Sequence, residues 1–254
     1  MRMYAGADST SFAEKLLGYL QEVDYRLAET PGDKREVYRL RYDAYMREGA
    51  ISENSEKEFS DEYDAMDNCW IFGIFLDQKL ASSIRFHILT PENRKGPSVD
   101  VFPDIVHPML DEGMTLVDPT RFVVEQSVTK DYPEIPFMTM RIAYMAYEYF
   151  NASYALATVR KEHAAFYRRV FKAEIVSDPR PYPTLKSPIC MLRSDVRGLR
   201  EQLARRYPIF ESSYTERRMI FEPRMQMLAQ NTIEMPDPDK VSNFIPKMAS
   251  AITN

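Results

Sequence analysis

An aspartate and an arginine stand three residues apart within residues 117–124, where both side chains can act on a small polar molecule. The carboxylate of Asp118 can accept a proton, and the guanidinium of Arg121 can hold or orient a polar group. Most of their neighbours are β-branched or apolar, so the segment predicts a strand. The spacing therefore indicates a catalytic pair, or alternatively a structural ion pair that ties the strand to a loop.

Four further charged residues precede this pair. Arg41 lies in a predicted helix, and Arg85 lies inside a predicted strand. Asp61 and Asp64 fall in the polar stretch 48–67, which is too long and too charged for an ordinary connection and is a candidate lid. An arginine beside a core-facing stripe usually has a partner, so these residues form either a binding site or a buried structural network.

Several familiar classes of site have no motif in the chain. Gly-x-Gly-x-x-Gly, Gly-Lys-Ser/Thr and Gly-x-Ser-x-Gly are all absent and only 8 glycines are present, so dinucleotide and P-loop chemistry are not expected. The histidines (His87, His107 and His163) and cysteines (Cys69 and Cys190) have no metal-ligand spacing and are expected to be structural. We expect no metal and no permanently bound cofactor.

Length and composition favour one large domain with an addition. The chain has 254 residues, 44% of them hydrophobic, which is enough for a sizeable core. We predict one large domain over residues 1–207, which includes an N-terminal helix, and a helical extension with a tail over 208–254. No uncharged apolar run reaches about 18 residues, and residues 1–25 do not resemble a signal peptide, so a cytoplasmic protein without an integral membrane segment is expected.

The charge distribution is uneven. A net charge of −5 argues against nucleic acid as the partner, since that role needs a concentrated basic surface. Residues 53–67 hold seven acids against one lysine, whereas residues 160–172 hold five Arg/Lys against one acid. Such zones indicate a cationic or amine-bearing ligand on one side and an anionic partner on the other, or alternatively two solvated faces.

The order of predicted strands and helices indicates how these residues are held. Two strands over residues 69–75 and 80–89 are followed by a third at 115–124, a helix at 136–150, a strand at 154–159 and a helix at 160–171. Strands followed by a helix and then a strand-helix-strand unit predict an α/β fold with a mixed central sheet flanked by helices.

The chemical residues form an ordered series that resembles a known family. The series is Arg41-x-x-x-Tyr45, Asp61-Glu62-Tyr63-Asp64, Ser82-Ser83-Ile84-Arg85, Val101-Phe102-Pro103 and Asp118-x-x-Arg121-Phe122. It resembles the acyl-homoserine-lactone synthases and, more closely, the N-acyl amino acid synthases. The resemblance covers about residues 24–175 and implies a GNAT-like fold that moves an acyl chain from an acyl carrier protein onto an amine.

The resemblance also implies roles for the matching residues. Asp118 is the implied catalytic base and Arg121 its partner. The implied substrate-binding residues are Arg41, Tyr45, Asp61, Asp64, Arg85, Phe102 and Phe122. Two departures stand out: Asp118 replaces the glutamate of the lactone synthases and is one methylene shorter, and the only tryptophan, Trp70, lies outside the motif that usually carries one.

A second segment resembles the closing part of GNAT enzymes. Tyr167 matches the tyrosine that in many of them protonates the departing thiolate, although an aromatic at helical spacing equally suits packing. Four neighbouring cations and one aromatic are candidates for binding a phosphopantetheine phosphate or an acidic carrier protein: Arg160, Lys161, Phe166, Arg168 and Arg169.

The pyrophosphate loop of the GNAT enzymes has no counterpart in residues 129–139. Coenzyme A needs a pyrophosphate site, whereas carrier-protein phosphopantetheine has a single phosphate, so the absence favours the carrier protein as donor. The sequence predicts an N-acyltransferase that joins a fatty acyl chain to an amino acid or similar small amine. A coenzyme-A-dependent N-acetyltransferase and a non-catalytic module that binds an acyl group or carrier protein remain as alternatives.

Overall fold

The computed structural model describes residues 11–182 and 184–233, and a mixed seven-stranded sheet lies within residues 23–194. The strands are β1 (Val23–Leu27), β2 (Cys69–Leu76), β3 (Lys79–Leu89), β4 (Leu116–Val124), β5 (Tyr154–Val159), β6 (Glu174–Ile175) and β7 (Cys190–Ser194). They are ordered β1-β2-β3-β4-β5-β7-β6. Only β4 and β5 are parallel neighbours, and every other pair is antiparallel. The predicted mixed sheet is confirmed.

Eight α-helices accompany the sheet in the described residues. They are α1 (Phe12–Gly18), α2 (Pro31–Arg47), α3 (Pro97–Val101), α4 (Pro103–Asp111), α5 (Ile135–Tyr149), α6 (Ala164–Phe171), α7 (Arg200–Arg206) and α8 (Tyr214–Ile233). Local chemistry explains where α2 begins, because Thr30 and Asp33 form a reciprocal capping box and Pro31 occupies the first turn. None of the described helices combines the length and apolarity needed to span a bilayer.

The two faces of the sheet carry different layers. Leu40 and Ala44 of α2 pack with Val123 of β4, while α3 and α4 share a buried cluster with Leu89 and Leu116. On the opposite face α5 covers β3 and β4. Both faces of the central strands are thereby removed from water, which explains why β2 is buried at every position.

The two parallel strands pair over a short distance. Their ladder consists of Leu116 opposite Tyr154 and Val117 opposite Ala155, although β4 continues to Val124 and β5 to Val159. The strands therefore diverge immediately after Val117, and the first residue of β4 beyond the ladder is Asp118.

A bulge interrupts β4 a few residues later. Ser83 of β3 lies opposite Val123 and Arg85 lies opposite Thr120, so Arg121 and Phe122 together face a single residue of β3. Arg121 has a left-handed backbone with φ of 54°. A bulge of this kind redirects the side chain, and it turns Arg121 toward the same face as Arg85.

The chain divides into two compact units, Met1–Ser213 and Tyr214–Asn254. The described part of the second unit is the helix α8, which contains Pro223. The boundary predicted between residues 207 and 208 stays a prediction, and the tail after residue 233 lies outside the described residues.

Candidate active site

Two aspartates and three arginines form a buried charged network on the face of the sheet covered by α2. Asp64 accepts two hydrogen bonds from Nη1 of Arg41, at 2.8 and 3.0 Å, and one from Nη1 of Arg85 at 3.0 Å. Asp61 is bonded to Arg85 through Oδ1 and to Nη2 of Arg121 through Oδ2. All five side chains are at most 4% exposed. The structure thus brings together five residues that the sequence singled out.

The arginines keep both carboxylates ionised. Burial opposes ionisation of Asp64, but the guanidinium groups of Arg41 and Arg85 outweigh it and lower the pKa of Asp64 to about 2. Burial likewise opposes ionisation of Asp61, and Arg85 and Arg121 lower its pKa from the ordinary value. The network therefore carries three cations against two anions, which suits binding of a further anion such as a substrate carboxylate.

The aspartates are held by a short helical turn, Glu62–Ala65, within the stretch predicted to be a lid. The backbone N–H of Asp61 donates to Oδ2 of Asp64 at 3.0 Å, and the hydroxyl of Tyr63 donates to Asp100 in α3 at 2.7 Å. These bonds anchor the middle of the stretch to the core.

Arg121 is surrounded by aromatic rings and hydroxyls. Its guanidinium carbon lies 4.5 Å from the ring centre of Phe59, 5.2 Å from that of Tyr182 and 5.5 Å from that of Tyr45. Nη2 also donates to the hydroxyl of Thr184 at 2.8 Å. Arg121 pairs with Asp61 rather than with Asp118, so the alternative of an ion pair between Asp118 and Arg121 is wrong.

Asp118 stands apart from the arginine network. Its side chain is fully buried, and Oδ2 accepts a hydrogen bond from the backbone N–H of Ser98 at 3.3 Å. Oδ1 has no hydrogen-bond partner among the described residues. Burial raises the pKa of Asp118 to about 6, although Ser98 and Arg85 counteract part of that rise. A carboxylate with an oxygen that accepts no hydrogen bond from the described residues, and with a pKa of about 6, is suited to general-base chemistry near neutral pH.

The surroundings of Asp118 contain other polar atoms without partners. Within the described residues these buried atoms include Nη2 of Arg85, Nδ1 of His87, Oγ of Ser98 and the hydroxyl of Tyr182. Such atoms are uncommon in a folded interior, and their concentration here indicates a place for a polar ligand. Ser98 and Tyr182 were not predicted from the sequence, since Ser98 lies in the short helix α3 and Tyr182 in a loop, and neither belongs to a recognisable motif.

His87 was predicted to be structural, although its spacing from Arg85 in the sequence already indicated that it lies beside the charged network. It follows Arg85 by two residues on β3, so both side chains point to the same face of the sheet.

Tyr167 lies on α6, near the point where β4 and β5 diverge. It lines an apolar cavity of about 30 Å³. The cavity is also lined by Pro119, Met140, Ala143, Tyr144, Tyr147, Ala155, Leu156, Ala157, Phe171, Ala173, Ser194 and Val196. Burial raises the pKa of the Tyr167 phenol, and the Tyr45 phenol adds to that rise. The ring of Tyr45 also lies beside the guanidinium of Arg121.

The other predicted aromatic residues have packing contacts. Phe102 is fully buried in the cluster formed with α3 and α4, below the guanidinium of Arg180, so it can shape the site only through that packing. Phe122 lies half-buried at the bulge. Phe166 contacts Phe137 at 5.6 Å and Tyr167 at 5.3 Å between ring centres, which places it beside the cavity.

The predicted donor-binding cations separate into two groups. Arg160 is paired with Glu48 and Glu162, whereas Lys161 is exposed. Five exposed cations on or next to α6 and α7 form what we call the α6–α7 basic surface: Arg168, Arg169, Lys172, Arg205 and Arg206. A shallow depression lined by Arg169, Lys172 and Arg206 joins the two helices. This surface offers concentrated positive charge to an anionic partner.

Comparison with known proteins places this arrangement in a family. A family model described as N-acyl amino acid synthase FeeM matches residues 36–195, a range that contains the charged network, Asp118 and Tyr167. No curated protein sequence matches the chain.

Solved structures with the same fold include three synthases. FeeM, an N-acyl amino acid synthase from uncultured soil microbes, is 15% identical with a TM-score of 0.58, over 71% of this chain and 94% of that chain. The acyl-homoserine lactone synthase LasI is 14% identical with a TM-score of 0.53, over 68% and 90% of the two chains. BjaI, a coenzyme-A-dependent acyl-homoserine lactone synthase, is 13% identical with a TM-score of 0.52, over 76% and 90%.

These similarities confirm the GNAT-like fold predicted from the sequence. The structural likeness establishes the fold, and the family model, which spans more than half of the chain, establishes the relationship. The chain belongs to the N-acyl amino acid synthase FeeM family and is an acyltransferase.

Proposed function

We propose that the protein transfers a fatty acyl chain from the phosphopantetheine arm of an acyl carrier protein to the amine of an amino acid or related small molecule. The observation that carries the proposal is Asp118, a fully buried carboxylate with one open oxygen at the point where β4 and β5 diverge. An amine is protonated near neutral pH and must lose a proton before it attacks a thioester. Asp118 is suited to take that proton.

The reaction uses Asp118 and Tyr167. Asp118 takes one proton from the ammonium group, and the neutral amine then attacks the thioester carbonyl with formation of a C–N bond. Collapse of the tetrahedral intermediate breaks the C–S bond, Tyr167 donates a proton to the departing thiolate, and the second proton lost from nitrogen returns to the Tyr167 phenolate. The raised pKa of Tyr167 keeps its phenol protonated for this step.

The charged network binds the acceptor in this proposal. Arg85 has one terminal nitrogen without a partner among the described residues, and it lies on the same face of β3 and β4 as Asp118. An α-amino acid presents a carboxylate close to its amine, so Arg85 is suited to hold the carboxylate while Asp118 receives the amine proton. Arg121 orients the network through Asp61.

The cavity beside Tyr167 is suited to the start of the acyl chain. Its walls are almost entirely apolar and include four alanines, which leave space close to the backbone. A volume of about 30 Å³ is too small for a long chain, so the cavity has to widen when the chain enters. Methionine and aromatic side chains in its wall, such as Met140 and Tyr144, can adjust to that change.

A carrier protein is the proposed donor because of the α6–α7 basic surface and the lack of a glycine-rich turn before α5. Carrier-protein docking needs a cationic surface, which Arg169, Lys172 and Arg206 provide. Coenzyme A is the second candidate, since BjaI has the same fold and is described as coenzyme-A-dependent.

A donor and acceptor panel tests this proposal. Purified protein is incubated with decanoyl or hexadecanoyl groups on a carrier protein or on coenzyme A, together with single amino acids or polyamines, and products are measured by mass spectrometry. We expect N-acyl amino acids with the carrier-protein donor. Faster transfer from coenzyme A would show that coenzyme A, and not the carrier protein, is the donor. A bound but unchanged acyl ligand would indicate a binding module.

The role of Asp118 is tested by Asp118→Asn. We expect transfer to fall by at least about 100-fold, because the amide cannot accept the amine proton. Asp111→Asn provides the control, since Asp111 lies on the exposed end of α4. Circular dichroism reports whether both variants keep the fold, and full activity in a folded Asp118→Asn protein would refute the assignment.

A further inference from the structure

His87 lies directly opposite Asp118 in the antiparallel ladder between β3 and β4. Residues paired in this way point to the same face, with Cβ atoms about 4.5–5.5 Å apart. Both side chains are fully buried. The start of α3 closes over the pair, because Ser98 donates to Asp118 and a Cβ on Gly96 would lie 3.5 Å from Cγ of His87. His87 and Asp118 are thus buried neighbours under the start of α3.

The hydrogen bonding of His87 determines which ring nitrogen is available. Nε2 lies 3.1 Å from the backbone carbonyl oxygen of Tyr63. A carbonyl oxygen can only accept, so Nε2 carries the hydrogen and Nδ1 keeps a lone pair in the neutral ring. Burial and the neighbouring charge of Arg85 lower the pKa of His87 to about 3, which keeps the ring neutral. Nδ1 has no partner among the described residues.

An attacking amine has more hydrogens than one base can receive. After an ammonium group has given one proton to a carboxylate, two N–H bonds remain, and their direction determines where the nitrogen lone pair points. An acceptor beside the base fixes one of those bonds and directs the lone pair at the thioester carbon. Neutral Nδ1 of His87 is an acceptor of this kind, next to Asp118.

We propose that His87 is a second substrate-amine acceptor, which takes a hydrogen bond from the amine through Nδ1 while Asp118 takes the proton. This inference rests on the proposed function, because it assigns a role within the same site. It differs from a purely structural role, in which His87 only supports the Tyr63 carbonyl through Nε2. The two roles use different nitrogens of one ring, so two substitutions can separate them.

His87→Asn and His87→Gln are the informative pair. The asparagine amide reaches about the position of Nδ1, where its oxygen can accept from the amine, but it cannot reach the Tyr63 carbonyl. The longer glutamine amide reaches the position of Nε2 and can donate to that carbonyl, but it leaves no acceptor at Nδ1. We expect His87→Gln to lower kcat/KM for the amine by about 10- to 100-fold and His87→Asn to retain most of it, with the KM for the acyl donor unchanged in both. The reverse order, with glutamine active and asparagine inactive, would show the structural role and overturn the proposal.

A binding measurement separates this inference from the proposed function. Long-range ¹H–¹⁵N spectra of the imidazole rings resolve the Nδ1 signal of His87, which is assigned by its loss in His87→Asn, while His107 and His163 serve as internal references. We expect an amino acid or small amine added without acyl donor to shift the Nδ1 signal of His87 alone. An unchanged Nδ1 signal at saturating amine would overturn the inference. A shifted signal without amide formation would uphold the inference and count against the proposed transfer.

Discussion

Burial affects Asp118 in two opposite ways. It makes the carboxylate a stronger base, because removal from water raises its pKa to about 6. It also makes the ionised side chain costly to the fold, since the open Oδ1 has neither water nor a described partner. The single bond from Ser98 compensates only part of that cost. A residue that is useful to the reaction thus destabilises the protein that contains it.

The stability of Asp118→Asn should therefore depend on pH. A raised pKa contributes stability that is fully present below the ordinary value of 3.8 and is lost as pH rises through about 6. At pH 8 the buried carboxylate is ionised and its full destabilising effect is present. We therefore expect the neutral asparagine to raise the free energy of unfolding by up to about 3 kcal/mol. At pH 5 the gain should be smaller.

Urea unfolding of both proteins at pH 5 and pH 8 measures this difference. Transfer by the native enzyme should rise over the same interval, as Asp118 becomes able to accept a proton. An asparagine variant that is less stable at pH 8 would contradict the assigned environment of Asp118.

The helical turn Glu62–Ala65 depends on the arginines of α2 and β3. Asp64 contacts Arg41 and Arg85, and it also accepts the backbone N–H of Asp61, so one carboxylate joins three parts of the chain. Removing one member of a buried ion pair leaves an uncompensated charge. The turn and its tyrosine should therefore lose their position when Asp64 is truncated.

For Asp64→Ala we expect a loss of about 3–5 kcal/mol in the free energy of unfolding. The lowered pKa means that the contribution of Asp64 is fully present above 3.8 and is lost as pH falls through about 2, so the difference between the variant and the native protein should be smaller at pH 3 than at pH 7. Denaturant titrations at pH 7 and pH 3 provide the measurement.

A control for that substitution comes from a surface ion pair. Asp111→Ala removes the partner of Arg94 in a pair whose side chains are 34% and 64% exposed, and we expect a loss below about 1 kcal/mol. Equal losses in the two variants would show that the buried network does not stabilise the turn.

The molecule as a whole separates its charges. The acidic stretch 53–67 contributes its two buried aspartates to the arginine network, whereas the α6–α7 basic surface remains exposed. Exposed charges act mainly on encounter rates and weaken as salt is added, because ions screen them over about 10 Å at 0.1 M. The basic surface should therefore affect docking of a carrier protein without affecting chemistry.

The double variant Arg169→Glu with Lys172→Glu tests this expectation. We expect the KM for acyl carrier protein to rise about tenfold at low ionic strength, and the difference from the native protein to shrink at higher salt. Transfer from a small pantetheine thioester should remain unchanged. Arg35→Glu with Lys79→Glu, at exposed positions of α2 and at the start of β3, is the control matched in charge. An equal effect of the control would assign the loss to net charge instead of to this surface.

The amino-acid sequence was sufficient to predict the family, the fold class and most of the charged residues of the candidate site. The helix α2 was predictable because its cap, its first-turn proline and its apolar spacing are all local properties. The central strands were predictable from their β-branched and aromatic residues. The ordered motifs identified the acyltransferase family because several weak matches in the correct sequence are jointly specific.

Only the tertiary structure decided which of those residues face each other. Arg121 bonds to Asp61 instead of its near neighbour Asp118 because a bulge with positive φ redirects its side chain. His87 stands opposite Asp118 because of the register of β3 and β4, and Asp118 is the first residue beyond the paired part of β4 because β4 and β5 diverge there. Register, bulges and strand divergence arise from packing between segments distant in the chain, so spacing along the sequence could indicate the participants but not their partners.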